Sequence, residues 1–175
     1  GTTDTKAGLK AIQDTMRPHY PRFSDEEYSR RHHAIRAEME QRDISCLVIY
    51  AGSYSVGNQK NLHYISNLIT YLPAYLVFPL EGDPTLFMLI YSFIPGGRSI
   101  SNVDDVRWSL GPQGPIDRIK ELGLHSENIG IVGEDVITSS VPHDHFEQFS
   151  AAFGEEHLQN FTFAMHDLMK IPSPE

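Results

Sequence analysis

The sequence predicts an α/β domain in which helices pack on the faces of a mixed, partly antiparallel sheet. A capped amphipathic stretch from Ser24 to Arg42 runs into the unbroken apolar segment Cys46-Leu47-Val48-Ile49-Tyr50. Two more apolar segments, Ala74 to Phe78 and Thr85 to Ile90, flank Glu81-Gly82-Asp83-Pro84, a turn composition between strands. Beyond them, strand-like and helix-like segments alternate. The order helix, strand, hairpin, strand, helix, strand, helix calls for a sheet of mixed direction with both faces covered.

Each element has its own signal. Leu9, Ile12 and Met16 stand at helical spacing before Pro18 and Pro21, which marks an arm or short helix. Ser24 followed by Glu27 forms a capping-box pattern, and Tyr28, His32, Ile35 and Met39 continue it at steps of four, three and four. Cys46 to Tyr50 is apolar at every position, as in a strand buried on both faces. A Gly/Ser/Asn-rich stretch from Gly52 to Asn58 interrupts the pattern before the hairpin. Val103 to Ser109 is a further strand. A helix from Ile116 to Leu122 places Ile116, Ile119 and Leu122 on one side and stops at Gly123. Ile129 to Val132 is a short buried strand, and Pro142 opens a helix through Phe153 with Phe146, Phe149 and Phe153 on one face.

A chain of 175 residues suffices for one domain with a real core. The single cysteine, Cys46, excludes a disulfide scaffold and favours a reducing, cytoplasmic setting. No apolar run approaches the roughly 20 residues of a membrane span, and the start of the chain has no signal-peptide pattern. Gly1 in place of Met points to a processed or tagged terminus. The net charge of −9 opposes binding to a phosphate backbone. The only basic cluster, Arg30-Arg31-His32-His33, has Glu26, Glu27 and Glu38 around it and reads as a solvated helix face.

The chemistry-bearing motifs are sparse. The sequence has no phosphate-binding glycine loop, no G-x-S-x-G elbow, and no thiol placed for activation. Nine histidines raise the question of a metal. His143-Asp144-His145 with Glu147 is the densest group, but imidazoles two apart on a helix diverge, and an exposed helix amino-terminus with Asp144 on its dipole is the simpler reading. His32, on the core stripe, reads as a half-buried, hydrogen-bonded side chain. Asp104-Asp105 reads as a turn before a strand. The residues therefore show no reaction centre, and a histidine-dependent metal site at His143 and His145 is left as the weaker alternative.

Three segments, in order, carry a resemblance. They are the capped helix and strand from Tyr28 to Tyr50; Asn61-Leu62-His63-Tyr64-Ile65-Ser66 with the hairpin Ala74 to Pro79 and Gly82 to Phe87; and Glu121-Leu122-Gly123-Leu124 through Asn128-Ile129-Gly130-Ile131. The second resembles an N-x-R-Y-L-T-G loop and its hairpin. The third resembles an E-L-G-L, spacer, R-I-G-V passage. Asp167 to Glu175 resembles an L-R-x-I-K-S-P-E junction, with Met169 and Pro172 at the usual Arg and Lys positions. Together they are similar to the amino-terminal domain of the creatinase/prolidase/Xaa-Pro aminopeptidase family, peptidase M24-like.

That resemblance implies a ribonuclease H-like domain over 23–168, preceded by an arm at 1–22 and followed by a junction at 169–175 to a catalytic domain beyond Glu175. It implies that two divalent metal ions, manganese, cobalt or zinc, are held by that missing carboxy-terminal catalytic domain and not by this chain. It also implies a homodimer acting on a small peptide or amide, while the net charge and the lack of an apolar span argue against a nucleic-acid or membrane partner. The front domain would be non-catalytic, shaping substrate access. Asn61, His63 and Tyr64 are the substrate-binding candidates. Arg usually stands at the position of His63, where its fork of donors suits a carboxylate; neutral imidazole offers one donor and makes such recognition weaker or pH-dependent. The alternative is that Asn61 caps a turn while Tyr64 and Ile65 pack the core. A freestanding binding or oligomerisation module is the competing reading of the whole chain.

Overall fold

The computed structural model describes residues 22–52, 56–133 and 141–175. The expected helix around Leu9, Ile12 and Met16 lies outside the described residues, as does almost all of the arm at 1–22. In the described part, the strands are β1 (Cys46–Ala51), β2 (Ala74–Pro79), β3 (Thr85–Met88), β4 (Asp105–Trp108), β5 (Ile129–Val132) and β6 (Leu158–Asn160). The helices are α1 (Asp25–Gln41), α2 (Val56–Ser66), α3 (Ile94–Ile100), α4 (Gln113–Glu121), α5 (His143–Phe153) and α6 (Thr162–Met169).

The strands form one six-stranded sheet in the order β4-β3-β2-β1-β5-β6. The β1–β2 and β2–β3 pairs are antiparallel, and β3–β4, β1–β5 and β5–β6 are parallel. The mixed, partly antiparallel sheet is thus the predicted one. Every residue of β1, β2, β3 and β5 is buried, so both faces are covered. The edge strands β4 and β6 instead carry Asp105, Arg107, Gln159 and Asn160, polar side chains that discourage edge-to-edge pairing.

The period of two along each strand divides the core. Leu47, Ile49, Leu76 and Phe78 join Ile35, Met39, Leu62, Ile65, Phe161 and Met165 under α1, α2 and α6. Cys46, Val48, Tyr50, Tyr75, Val77 and Phe87 meet Ile116, Ile119, Phe149 and Phe153 of α4 and α5 on the other side. Cys46 is wholly buried there, and burial pushes its thiol up to about 12, an inert thiol.

The helix ends follow the capping signals. Ser24 Oγ accepts the Glu27 N–H at 3.1 Å, the first half of the capping box. The second half differs, because the Glu27 carboxylate turns inward and the Ser24 N–H donates to Glu175 at 3.1 Å. At the α4 terminus Gly123 has φ +73°, and the N–H groups of Gly123 and Leu124 reach the carbonyls of Lys120 and Ile119, a Schellman closure. Asp43, with φ +53°, closes α1 in the same way, bringing Ile44 back over Met39.

Four elements were not read from the sequence. The stretch running through Asn61 to Ser66, expected as a loop, is helix α2, whose Leu62 and Ile65 pack on the sheet under β1. α3 forms across Gly96-Gly97, and β6 with α6 follows Phe153 where no element was assigned. In each case burial outweighs a weak local preference: Phe161 and Met165 of the α6 region are completely buried.

Candidate functional site

The segment holding Asn61, His63 and Tyr64 meets the amino-terminal half of α1, and the chemistry of that seam starts from Glu27. Glu27 is 3% exposed, screened by its own partners more than by depth. Arg30 donates to it twice at 2.8 Å, and Arg31, one turn further on, donates through Nε at 2.9 Å. Hydrogen bonds from Arg30 first, then Arg31, hold its carboxyl down to about 2. Arg31 is itself 5% exposed. Its guanidinium lies 4.2 Å from the ring centre of Phe23, 4.5 Å from that of Tyr64 and 5.3 Å from that of Tyr28.

The seam is sealed by the carboxyl end of α2. Arg31 Nη1 donates to the Tyr64 carbonyl at 3.1 Å, and His32 Nε2 donates to the Ile65 carbonyl at 2.9 Å. These are carbonyls of the last helical turn, which lack intrahelical partners and favour cationic or polar donors. Tyr28 donates to Asn67 Oδ1 at 3.0 Å, and Asn67 passes the connection to the Ile100 carbonyl at 3.1 Å. His32 is therefore the half-buried, bonded side chain that the sequence suggested. The solvated-face reading of Arg30-Arg31-His32-His33 is corrected: only His33 is exposed, because Glu27 and three aromatic rings draw Arg31 inward.

The three candidate residues do not converge. Asn61 is fully buried, and among the described residues neither its amide oxygen nor its amide nitrogen has a hydrogen-bond partner. Tyr64 is 9% exposed and carries the Arg31 guanidinium on its ring. His63 is half-buried, and burial first, then the Arg31 charge, lowers its pKa below the usual histidine value. It therefore presents a neutral imidazole with one donor and one acceptor. Sequence reasoning missed Glu27 and Arg31 as the centre of this seam; the signal was their i, i+4 spacing on the apolar stripe.

The histidine group on α5 does not assemble a metal site. His143 Nε2 pairs with Glu147 Oε1 at 3.1 Å, and His145 Nδ1 shares a 2.9 Å hydrogen bond with the Tyr75 hydroxyl. Asp105 is held by Arg107 and by Thr85 Oγ1, which explains the Asp104-Asp105 pair structurally. Among the described residues no group of three His, Cys, Asp or Glu side chains is placed to hold a metal ion. The described residues do not fit a dinuclear centre.

Comparison with known proteins places this geometry. The family model for the Creatinase/Prolidase N-terminal domain matches residues 31–168. No curated protein sequence matches the chain. Among solved structures, the chain is similar to the prolidase from Pyrococcus horikoshii OT3 at 17% identity and a TM-score of 0.61, over 83% of this chain and 36% of that one. It is similar to dipeptidase PepE from Mycobacterium ulcerans at 23% identity and a TM-score of 0.63, over 88% of this chain and 39% of that one. The N-terminal domain of cytoplasmic peptidase PepQ from Mycobacterium tuberculosis H37Rv matches at 15% identity and a TM-score of 0.62, over 79% of this chain and 98% of that one. The chain thus spans little more than a third of the longer peptidases, and the likeness is one of fold. Because the family model runs through most of the sequence, from residue 31 to residue 168, the chain belongs to the Creatinase/Prolidase N-terminal domain family.

Proposed function

We propose that this chain is the non-catalytic amino-terminal domain of a metal-dependent hydrolase of the Xaa-Pro peptidase type, where it shapes substrate access and supports a homodimer. The observation that carries the reading is the family match over residues 31–168, together with a fold that covers 36% of a prolidase chain and 98% of a peptidase N-terminal domain. In this reading the two divalent ions, manganese, cobalt or zinc, belong to a catalytic domain outside this chain, and the substrate is a small peptide or amide. A cytoplasmic setting belongs to the same proposal; no described helix is long and apolar enough to cross a membrane.

Within this reading His63 is the contact residue, because it alone of the three candidates keeps open surface. Tyr64 and Arg31 hold the turn that carries it, while Asn61 is fully buried. A neutral imidazole there donates one hydrogen bond to a substrate carbonyl or carboxylate without fixing a charge.

The test is hydrolysis of Xaa-Pro dipeptides, with manganese or cobalt added, by this chain alone and by the complete product of its reading frame. The complete product is expected to hydrolyse them and the chain alone to be inactive. Activity in the chain alone, or inactivity in a complete product that carries a catalytic domain, defeats the proposal. A freestanding binding or oligomerisation module is the second reading. A stop codon directly after Glu175 would decide for it.

A further inference from the structure

A cavity of about 330 Å³ opens where four strands end, on the α5 side of the sheet. Its walls are Tyr50 at the end of β1, Tyr75 at the start of β2, Phe87 in β3, Leu110 after β4, and His145 in the first turn of α5. This volume is at the small end of the range for small-molecule sites, roughly 300–1,000 Å³, and suits one substituted ring. The rings of Tyr50, Tyr75 and His145 pack against one another with centroids 5.1, 5.9 and 6.4 Å apart. Such rings favour a further aromatic guest in tilted or edge-to-face contact.

Polar groups interrupt this lining at Ser109, whose hydroxyl is bonded to the Gly111 carbonyl and the Gly114 N–H, and at the Tyr75–His145 pair. Burial pushes the Tyr75 phenol far above its usual pKa, so it stays protonated while bonded to His145 Nδ1 at 2.9 Å. The other ring nitrogen, Nε2, faces Gly111, where an added Cβ would stand 3.4 Å from it. Gly111 has φ +111°, a conformation that keeps the position free of a side chain, and Ser109 holds the loop by donating to the Gly111 carbonyl at 2.7 Å. His145 thus lines an aromatic cavity, and among the described residues no side chain hydrogen-bonds its Nε2.

We propose that this cavity is a binding site for a small uncharged aromatic hydroxyl compound, its ring among Tyr50, Tyr75 and Phe87 and its hydroxyl paired with His145 Nε2. A hydroxyl both donates and accepts, so it satisfies Nε2 in either imidazole tautomer. A carboxylate in place of the hydroxyl is disfavoured by burial and by the charge of Asp144, which in that order raise the pKa of Tyr50 and contribute to raising that of Tyr75. This proposal is independent of the peptidase reading and stands or falls without any hydrolysis assay.

The test is an amide NMR titration of the whole chain with p-cresol, toluene and benzoate. p-Cresol is expected to bind with a Kd of about 1 mM, shifting the Tyr75, Leu110, Gly111 and His145 signals, with toluene and benzoate about tenfold weaker. His145→Phe keeps a ring but removes Nε2, and should bring p-cresol and toluene to equal affinity. No shift with p-cresol, shifts confined to other residues, benzoate binding as well as p-cresol, or an unchanged preference in a folded H145F protein would each overturn the site. If H145F does not fold, the ranking of the three compounds by the wild-type chain decides alone.

Discussion

Under α1, α2 and α6 the sheet presents Leu47, Ile49, Leu76 and Phe78, a mainly aliphatic layer closed at one end by the Glu27–Arg31 pair. Under α4 and α5 the same strands present Val48, Tyr50, Tyr75 and Phe87, a layer that turns aromatic toward one end and leaves a cavity there. The strands alternate strictly, so one residue's offset decides which chemistry a side chain joins. What the contrast teaches is that the first face ties Glu27, Arg31, His32 and Tyr28 into a bonded seam, whereas the second gathers its polar atoms around a cavity.

The contrast can be broken most severely at Phe78, which is completely buried, with His32 edge-on at 5.1 Å and Arg36 over it at 4.7 Å. Phe78→Ala should cost about 4 kcal/mol by chemical denaturation. A loss below about 1 kcal/mol would show that this face is not tightly packed.

Glu27→Ala should cost about 3 kcal/mol, because it leaves the nearly buried Arg31 without its carboxylate. The pH dependence has a definite sign. The folded carboxyl titrates near 2 against 4.5 in the unfolded chain, so its stabilisation is present above pH 4.5 and is lost as pH falls toward 2. The E27A variant should lack that acid-side decline; an identical decline would place the pair's energy elsewhere.

Gly130→Ala tests closeness on the α6 side of β5. A Cβ there would meet Leu47 Cδ2 at 2.6 Å and Phe161 Cβ at 3.2 Å, so the expected cost is about 2 kcal/mol of overpacking. A melting temperature equal to wild type would show that α6 shifts freely.

The smallest effect is at His63. Burial and Arg31 lower its pKa from 6.5, so the unfolded state holds the proton more tightly and stability declines as pH falls below 6.5. His63→Gln should flatten the stability profile just below pH 6.5 by less than about 1 kcal/mol, leaving the Glu27 window untouched.

Most of the frame was legible before any coordinate. Ser24 to Arg42, Cys46 to Tyr50, the hairpin and Ile129 to Val132 each combine a local signal with the burial it implies, and each forms within a residue or two of its expected bounds. α2 was not legible as a helix, because Gly52 to Asn58 reads as loop and its side of the argument lies in Leu62 and Ile65 reaching β1. The candidate residues Asn61, His63 and Tyr64 were found by resemblance, but nothing local says that helical geometry turns Asn61 and Tyr64 into the protein and leaves His63 at its surface.

By itself the sequence determined the fold class, the Ser24 N-cap and the Gly123 C-cap, the two-sided burial of the central strands and the inertness of Cys46, all of which follow from period, capping chemistry and apolar content within short windows. Only the tertiary structure decided that Glu27 faces Arg31 instead of closing its own capping box, that Glu175 takes the place left at Ser24, and that Tyr75 meets His145 across the sheet end. The reason is distance along the chain. These partners outside α1 are 70 or more residues apart, and no local periodicity encodes which buried polar groups must satisfy one another.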